Sequence, residues 1–117
     1  MRALIQRVIT STINIEGEEH AAIGKGLLVF IGIEDADNEH DIDWLAGKII
    51  RLRIFNNAMG IMNLSVGDIQ GEILVVSQFT LHADTRKGNR PSYHLASKPD
   101  YAIPIYNAFV EKLKKEY

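Results

Sequence analysis

Cysteine is absent from all 117 residues, so the chain has no disulfide framework, and at this length it needs none. No apolar run approaches the ~18 residues of a membrane span. The start, Met1-Arg2-Ala3-Leu4-Ile5-Gln6-Arg7, carries charges where a signal peptide would need an apolar stretch. These absences predict a soluble cytoplasmic protein. Nor is there an excess of either charge. Thirteen Lys and Arg face fifteen Asp and Glu for a net charge of −2, with a pI near 6.1 and a mean hydropathy of −0.05. No global basic field exists to gather nucleic acid, and any such contact has to be local. Repeats, low-complexity segments and linkers are also missing. What is present is a composition 46% apolar in a single-domain length. A folded chain of this size hides roughly two-thirds of the area its unfolded form exposes, enough for a core without disulfide or metal staples.

Alternation from Arg2 to Ile9 predicts a strand, and apolar residues on both faces predict that it is covered on both sides. Ser11 to Ile15 repeats the pattern, Gly17-Glu18 reads as a turn, and Glu18 to Ile23 returns as the hairpin partner. Gly24-Lys25-Gly26 turns into Leu27 to Ile33, a continuous apolar run expected of a central, fully buried strand. Asp35 to Asn38 offers several N-cap residues ahead of Ile42, Leu45, Ile49 and Leu52 at helical spacing, which predicts a helix from about Glu39 to Leu52. Arg53 to Phe55 reads as extended, Asn56 to Gly60 as a turn, and Ile61 to Val66 as a short edge strand. Glu72 to Phe79 is the second strongly apolar strand. From Leu81 to Ser97 the composition turns polar, with Asp84 to Ser92 as a loop. Ser97 is the expected N-cap of a last helix marked by Tyr101, Ile105, Phe109 and Leu113, and Pro104 predicts a kink or a later start. The fold class is α/β or α+β, with helices on one side of the sheets.

The histidines are His20, His40, His82 and His94, and none has the spacing of a zinc site; only His82 and Asp84 sit close enough to suggest a pair. Gly24-Lys25-Gly26 precedes a strand and lacks the frame of a phosphate loop. The carboxylates Glu16, Glu18, Glu19 and those from Glu34 to Asp43 read as a solvated surface. The segment that stands out is Ser77-Gln78-Phe79-Thr80, where an apolar strand runs out into a polar loop. Hydroxyls there, beside exposed backbone N–H groups, are placed to attack a carbonyl or orient attack on it. Satisfaction of local backbone groups is the competing reading. Thr85-Arg86-Lys87-Gly88-Asn89-Arg90 holds three cations in six residues, enough for a few phosphate contacts, though an ordinary solvated loop explains it equally.

In order along the chain, Met1 to Val8, Gly26 to Val29, Arg53-Ile54-Phe55 with Met62-Asn63, Val75 to Leu81, and Gly88-Asn89-Arg90-Pro91-Ser92 resemble the D-aminoacyl-tRNA deacylase family. The resemblance spans the whole chain, and Ser-Gln-Phe-Thr followed by Arg-Pro-Ser is its specific part. It implies a single domain over residues 1–117, a three-layer β/β/α fold and a homodimer. It also implies hydrolysis, without cofactor or metal, of the ester linking a D-amino acid to the terminal ribose of tRNA, a proofreading activity. Neither membrane nor DNA is an implied partner. Carried over residue by residue, Ser77, Gln78, Phe79 and Thr80 line the pocket for the aminoacylated adenosine, and Arg7 braces its entrance. Backbone N–H groups of Phe79 and Thr80 would position the substrate, whose own 2′-hydroxyl assists. Arg86, Lys87 and Arg90 are the expected contacts to the tRNA end. The family's second signature, Asn-x-Gly-Pro-Val-Thr on a final strand, has no counterpart here, since the sequence contains no Gly-Pro. Little preference between D- and L-aminoacyl ends is therefore expected of these residues.

Two readings from other classes stay open on the sequence: a module that binds a tRNA end without hydrolysing it, and a dimeric scaffold without activity. Ser-Gln-Phe-Thr favours the enzyme, and the basic loop alone favours the binding module.

Overall fold

The computed structural model describes all residues, Met1–Tyr117. Seven strands and two helices form: β1 (Arg2–Val8), β2 (Ser11–Ile15), β3 (Glu18–Ile23), β4 (Gly26–Gly32), α1 (Glu39–Arg51), β5 (Phe55–Asn56), β6 (Met62–Leu64), β7 (Glu72–Ser77) and α2 (Pro99–Glu116), with a 3-10 turn at Phe79–His82. The main sheet has the order β1-β4-β7, in which β1 is antiparallel to β4 and β7 is parallel to it. β2 pairs with β3, and β5 with β6, as two-stranded antiparallel ribbons. The β2–β3 turn is carried by Glu16 and Gly17, at φ 52° and 82°, one residue earlier than the Gly17-Glu18 expectation. Both residues in the left-handed region suit the twist of a tight hairpin.

The core lies between the main sheet and the two helices. Leu27, Val29 and Ile31 of β4 are buried against Ile42, Ala46 and Ile49 of α1 and Phe109 and Leu113 of α2, with Ala3, Ile5, Ile73 and Val75 packed around them. These sheet residues share one face because register partners do: Ala3 with Ile31, Ile5 with Val29, Val29 with Val75. At roughly 25 cal/mol per Å² of apolar area, this layer is the main source of stability. The opposite face is thinner than the sequence suggested. Leu28 and Phe30 are only half-buried, and Leu4 is 56% exposed. So β4 is central without being fully buried, and β1 is covered on one side only. Continuous apolar runs do not reveal which face the helices take.

Helix α1 starts as its sequence requires. Asn38 Oδ1 accepts the His40 N–H at 2.9 Å, and the Asp41 carboxylate accepts the Asn38 N–H at 3.0 Å. Helix α2 differs on two points. Its N-cap is Lys98, with no side-chain cap, because Ser97 is engaged elsewhere. It also runs unbroken from Pro99 through Pro104. Phe109 and Leu113 anchor it, and tertiary packing outweighs the one lost ladder bond.

Candidate active site

Because β4 and β7 run parallel, their carboxyl ends open at the same edge of the sheet. Ser77 lies beside Ile31, and the Gln78 N–H makes the last sheet bond, to the Ile31 carbonyl at 2.7 Å. The chain then leaves the sheet. Phe79 and Thr80, expected at a strand end, stand instead in the 3-10 turn. The Leu81 N–H bonds back to the Gln78 carbonyl at 3.3 Å, while the N–H groups of Phe79 and Thr80, the first of the turn, have no acceptor within it. The side-chain amide of Gln78 donates to Thr80 Oγ1.

Three contacts set the turn in place. Arg2 Nη1 donates to the Leu81 carbonyl at 2.8 Å. Gly32 lies under the turn: a Cβ there would sit 3.0 Å from both His82 Cδ2 and Leu81 Cβ. His82 itself is 1% exposed, with neither ring nitrogen hydrogen-bonded and Nδ1 3.9 Å from Glu34 Oε2. The pairing of His82 with Asp84 suggested by their spacing does not form, since one side chain turns into the core and the other to Arg86.

A cavity of about 650 Å³ opens at this edge, and Ser77, Gln78 and Phe79 line it from one side. Ile31 and Ile33 form its floor, Ala102, Ile103 and Tyr106 of α2 one wall, and Tyr93, Ser97 and Lys98 another. Neither Asp, Glu nor His lines it. Phe79 and Tyr93 meet edge to face, ring centres 5.2 Å apart at 74°, with Phe79 57% exposed. Such half-open aromatic faces suit stacking of a base. Ser97 is buried, its N–H on the Ile33 carbonyl at 2.8 Å and its hydroxyl donating to Asp35 at 2.7 Å. Tyr106 donates to the Val75 carbonyl at 3.0 Å, and burial pushes its hydroxyl's pKa up.

The structure thus brings Ser77, Gln78 and Phe79 together at the cavity, with Thr80 tied to them through Gln78. Arg7 is not among them within one copy of the chain. It pairs with Leu27 at the other end of the sheet and donates to the Ile54 carbonyl at 3.0 Å. Arg2 is the β1 arginine at the site end, because antiparallel pairing sets it opposite Gly32. Arg2, Tyr93, Ser97 and Lys98 escaped the sequence reading. Only the β1–β4 register could have identified Arg2, and only the fold of the 84–98 segment the others.

That segment closes on itself through reciprocal 2.8 Å backbone bonds between Asp84 and Ser92. Of the three loop cations, Arg86 is engaged by Asp84, which accepts from its Nε at 3.1 Å and its Nη2 at 3.0 Å. The guanidinium holds the Asp84 carboxyl down to about 2, and the carboxylate raises Arg86 in turn. Lys87 and Arg90, with Asp84 and Arg86, line a separate polar cavity within this loop.

Comparison with known proteins bears on this arrangement directly. Residues 4–117 match the model of the family described as D-Tyr-tRNA(Tyr) deacylase. The chain belongs to that family. Among relatives of this deacylase-family chain, the D-aminoacyl-tRNA deacylase of Flavobacterium johnsoniae is 60% identical over 117 residues, all of this chain and 78% of that protein. The one of Parabacteroides distasonis is 59% identical over 113 residues, 97% of this chain and 75% of that protein. The solved structure of a "c-Myc DNA Unwinding Element Binding Protein" superposes with a TM-score of 0.94 at 42% identity, over 100% of this chain and 78% of that one. That of a "probable eukaryotic D-amino acid tRNA deacylase" has a TM-score of 0.78 at 19% identity, over 96% and 66%, and shows the shared fold. The expected α/β class is therefore borne out, as is the family. No helix is long and apolar enough to cross a membrane.

Proposed function

We propose that this deacylase-family chain is an aminoacyl-tRNA deacylase that hydrolyses the ester between a D-amino acid and the 3′-terminal ribose of tRNA. The observation that carries the reading is the delivery of Ser77, Gln78 and Phe79, by the parallel β4–β7 pair, into a largely apolar cavity beside the open N–H groups of Phe79 and Thr80. An ester carbonyl accepting from those N–H groups gains most as its oxygen becomes anionic, an effect worth about 10²–10³ in rate per donor. Water adds to that carbonyl, the ester C–O bond breaks, and the ribose oxygen leaves with a proton.

Thr80 is not the nucleophile in this scheme. No carboxylate or imidazole lines the cavity to deprotonate it, and its oxygen already accepts from Gln78. The neighbouring 2′-hydroxyl of the ribose relays the proton, with positioning as the protein's contribution. Phe79 and Tyr93 take the adenine, and Lys87 and Arg90 the phosphates. The enzyme acts in the cytoplasm, where tRNA is charged. It works as a homodimer, a state that the 56% exposed Leu4 and 84% exposed Ile9 favour. A brace from Arg7 would then serve the partner's pocket, since Arg7 stands at the far end of its own sheet. Hydrolysis of D-Tyr-tRNA by the purified chain, with the L-ester as control, tests the reading; binding without ester cleavage would leave a tRNA-end binding module.

A further inference from the structure

The 84–94 segment encloses a second cavity, of about 550 Å³, and no apolar side chain lines it. It is separated from the first by Tyr93. This side chain lines the first cavity and touches Phe79, whereas its neighbours Ser92 and His94 line the second. The chain, which enters a turn directly after Tyr93, thus sends Tyr93 to one cavity and its two neighbours to the other, the first largely apolar and aromatic, the second lined by polar residues alone.

The charges of the polar cavity are sorted. Arg86 belongs to Asp84, bound through two guanidinium nitrogens and a 3.0 Å bond from its own N–H. This carboxylate–guanidinium clamp, with the Asp84–Ser92 backbone bridge, shapes the base of the loop. Lys87 and Arg90 make no ion pair, so two uncompensated cations face this space. Ser92 Oγ and His94 Nδ1 are 2.9 Å apart. With the hydroxyl as donor the ring proton sits on Nε2, which makes His94 a third donor for an anion.

We propose that this cavity is a phosphodiester site for the single-stranded 3′ end of tRNA, with Lys87, Arg90 and His94 as its ligands and Arg86 as a strut excluded from binding. The inference rests on the functional reading above and deepens it: the terminal nucleoside occupies the aromatic cavity, and the phosphodiester preceding it lies across Tyr93 in the polar one. It also explains how a chain of net charge −2 holds a polyanion. Two cations set beside the reacting ester suffice for the end of the strand, and no wider basic surface is needed.

The test is equilibrium binding of uncharged tRNA, intact and trimmed of its 3′-terminal single strand, to the wild type and to Lys87→Ala/Arg90→Ala. Both substituted residues are exposed, so the fold survives. Intact tRNA should bind the double variant at least tenfold more weakly. Its slope of log affinity against log salt should shrink by about 1.4, two single-strand contacts at ~0.7 each. Trimming should weaken the wild type by more than that factor, and the double variant less than the wild type, since only the contacts of the terminal nucleoside with Phe79 and Tyr93 remain there to be lost. His94→Ala should weaken intact tRNA by a few-fold, and Arg86→Gln should lower affinity less than Lys87→Ala. Unchanged affinity in the double variant overturns the site, as does equal wild-type affinity for trimmed tRNA. Hydrolysis of D-Tyr-tRNA by the same preparation is scored separately. Cleavage with no loop dependence defeats this inference alone, whereas loop-dependent binding without cleavage defeats only the functional reading.

Discussion

Gln78 and Thr80 are joined side chain to side chain, the amide of one donating to the hydroxyl oxygen of the other at the mouth of the cavity. The bond holds the 3-10 turn's first residues in one arrangement and occupies the oxygen that a covalent mechanism would need. It accounts for Gln between the two hydroxyl residues of Ser-Gln-Phe-Thr, since a residue without a donor at its tip could not make it.

Thr80→Ala should therefore lower the single-turnover rate by no more than about tenfold, the usual weight of one positioning hydrogen bond. Replacing Gln78 or Phe79 by a bulkier side chain should abolish hydrolysis by displacing the turn. Rapid-quench measurement on D-Tyr-tRNA separates the two effects, and a trapped acyl-Thr80 would overturn the non-covalent scheme.

Asp84 should titrate near 2, because Arg86 stabilises its charged form. A carboxyl depressed in the folded state adds stability above its ordinary value of 3.8 and loses it as pH falls toward 2. The loop clamp should thus persist through the neutral range and open only in strong acid. Carboxyl carbon NMR of Asp84 reads this directly, and in Arg86→Ala the midpoint should climb back toward 3.8. A midpoint indifferent to Arg86 would refute the clamp.

Gly32→Ala should destabilise the chain by about 1–3 kcal/mol, the usual effect of overpacking, because the new methyl would press on His82 and Leu81. It should also slow hydrolysis by tilting the turn above it. By contrast His82→Leu should raise the unfolding free energy by about 1 kcal/mol, since it removes two buried ring nitrogens without hydrogen bonds. Urea unfolding checks both, and a destabilised His82→Leu would mean that the imidazole is hydrogen-bonded in solution.

Leu4→Asp places a charge on the open face of the main sheet, where the wild-type side chain is 56% exposed. In a monomer the change should be nearly neutral, within about 0.5 kcal/mol for a surface site. In the homodimer proposed here it should shift sedimentation toward monomer and lower activity with it. Equal sedimentation of both proteins would exclude this face as the contact.

The elements themselves were legible in the chain, because each is governed by local chemistry. Asn38 and Asp41 mark the start of α1, the spacing of Phe109 and Leu113 marks the buried side of α2, and Leu27 to Ile33 marks a central strand. Ser-Gln-Phe-Thr was legible as well, since hydroxyls stand where an apolar run ends. What the sequence left open was everything that depends on register and on facing. Only the antiparallel β1–β4 pairing decides that Arg2 and not Arg7 stands at the site end of the sheet. Only the closure of the 84–92 loop decides that Arg86 is bound to Asp84 while Lys87 and Arg90 remain unpaired. Ser97, read as a helix cap, is taken by Asp35, 62 positions away in the chain. Local propensities extend over a turn or two of chain. The placing of Arg2 opposite Gly32 and of Ser97 on Asp35 is settled between distant segments, by strand register and by how those segments pack.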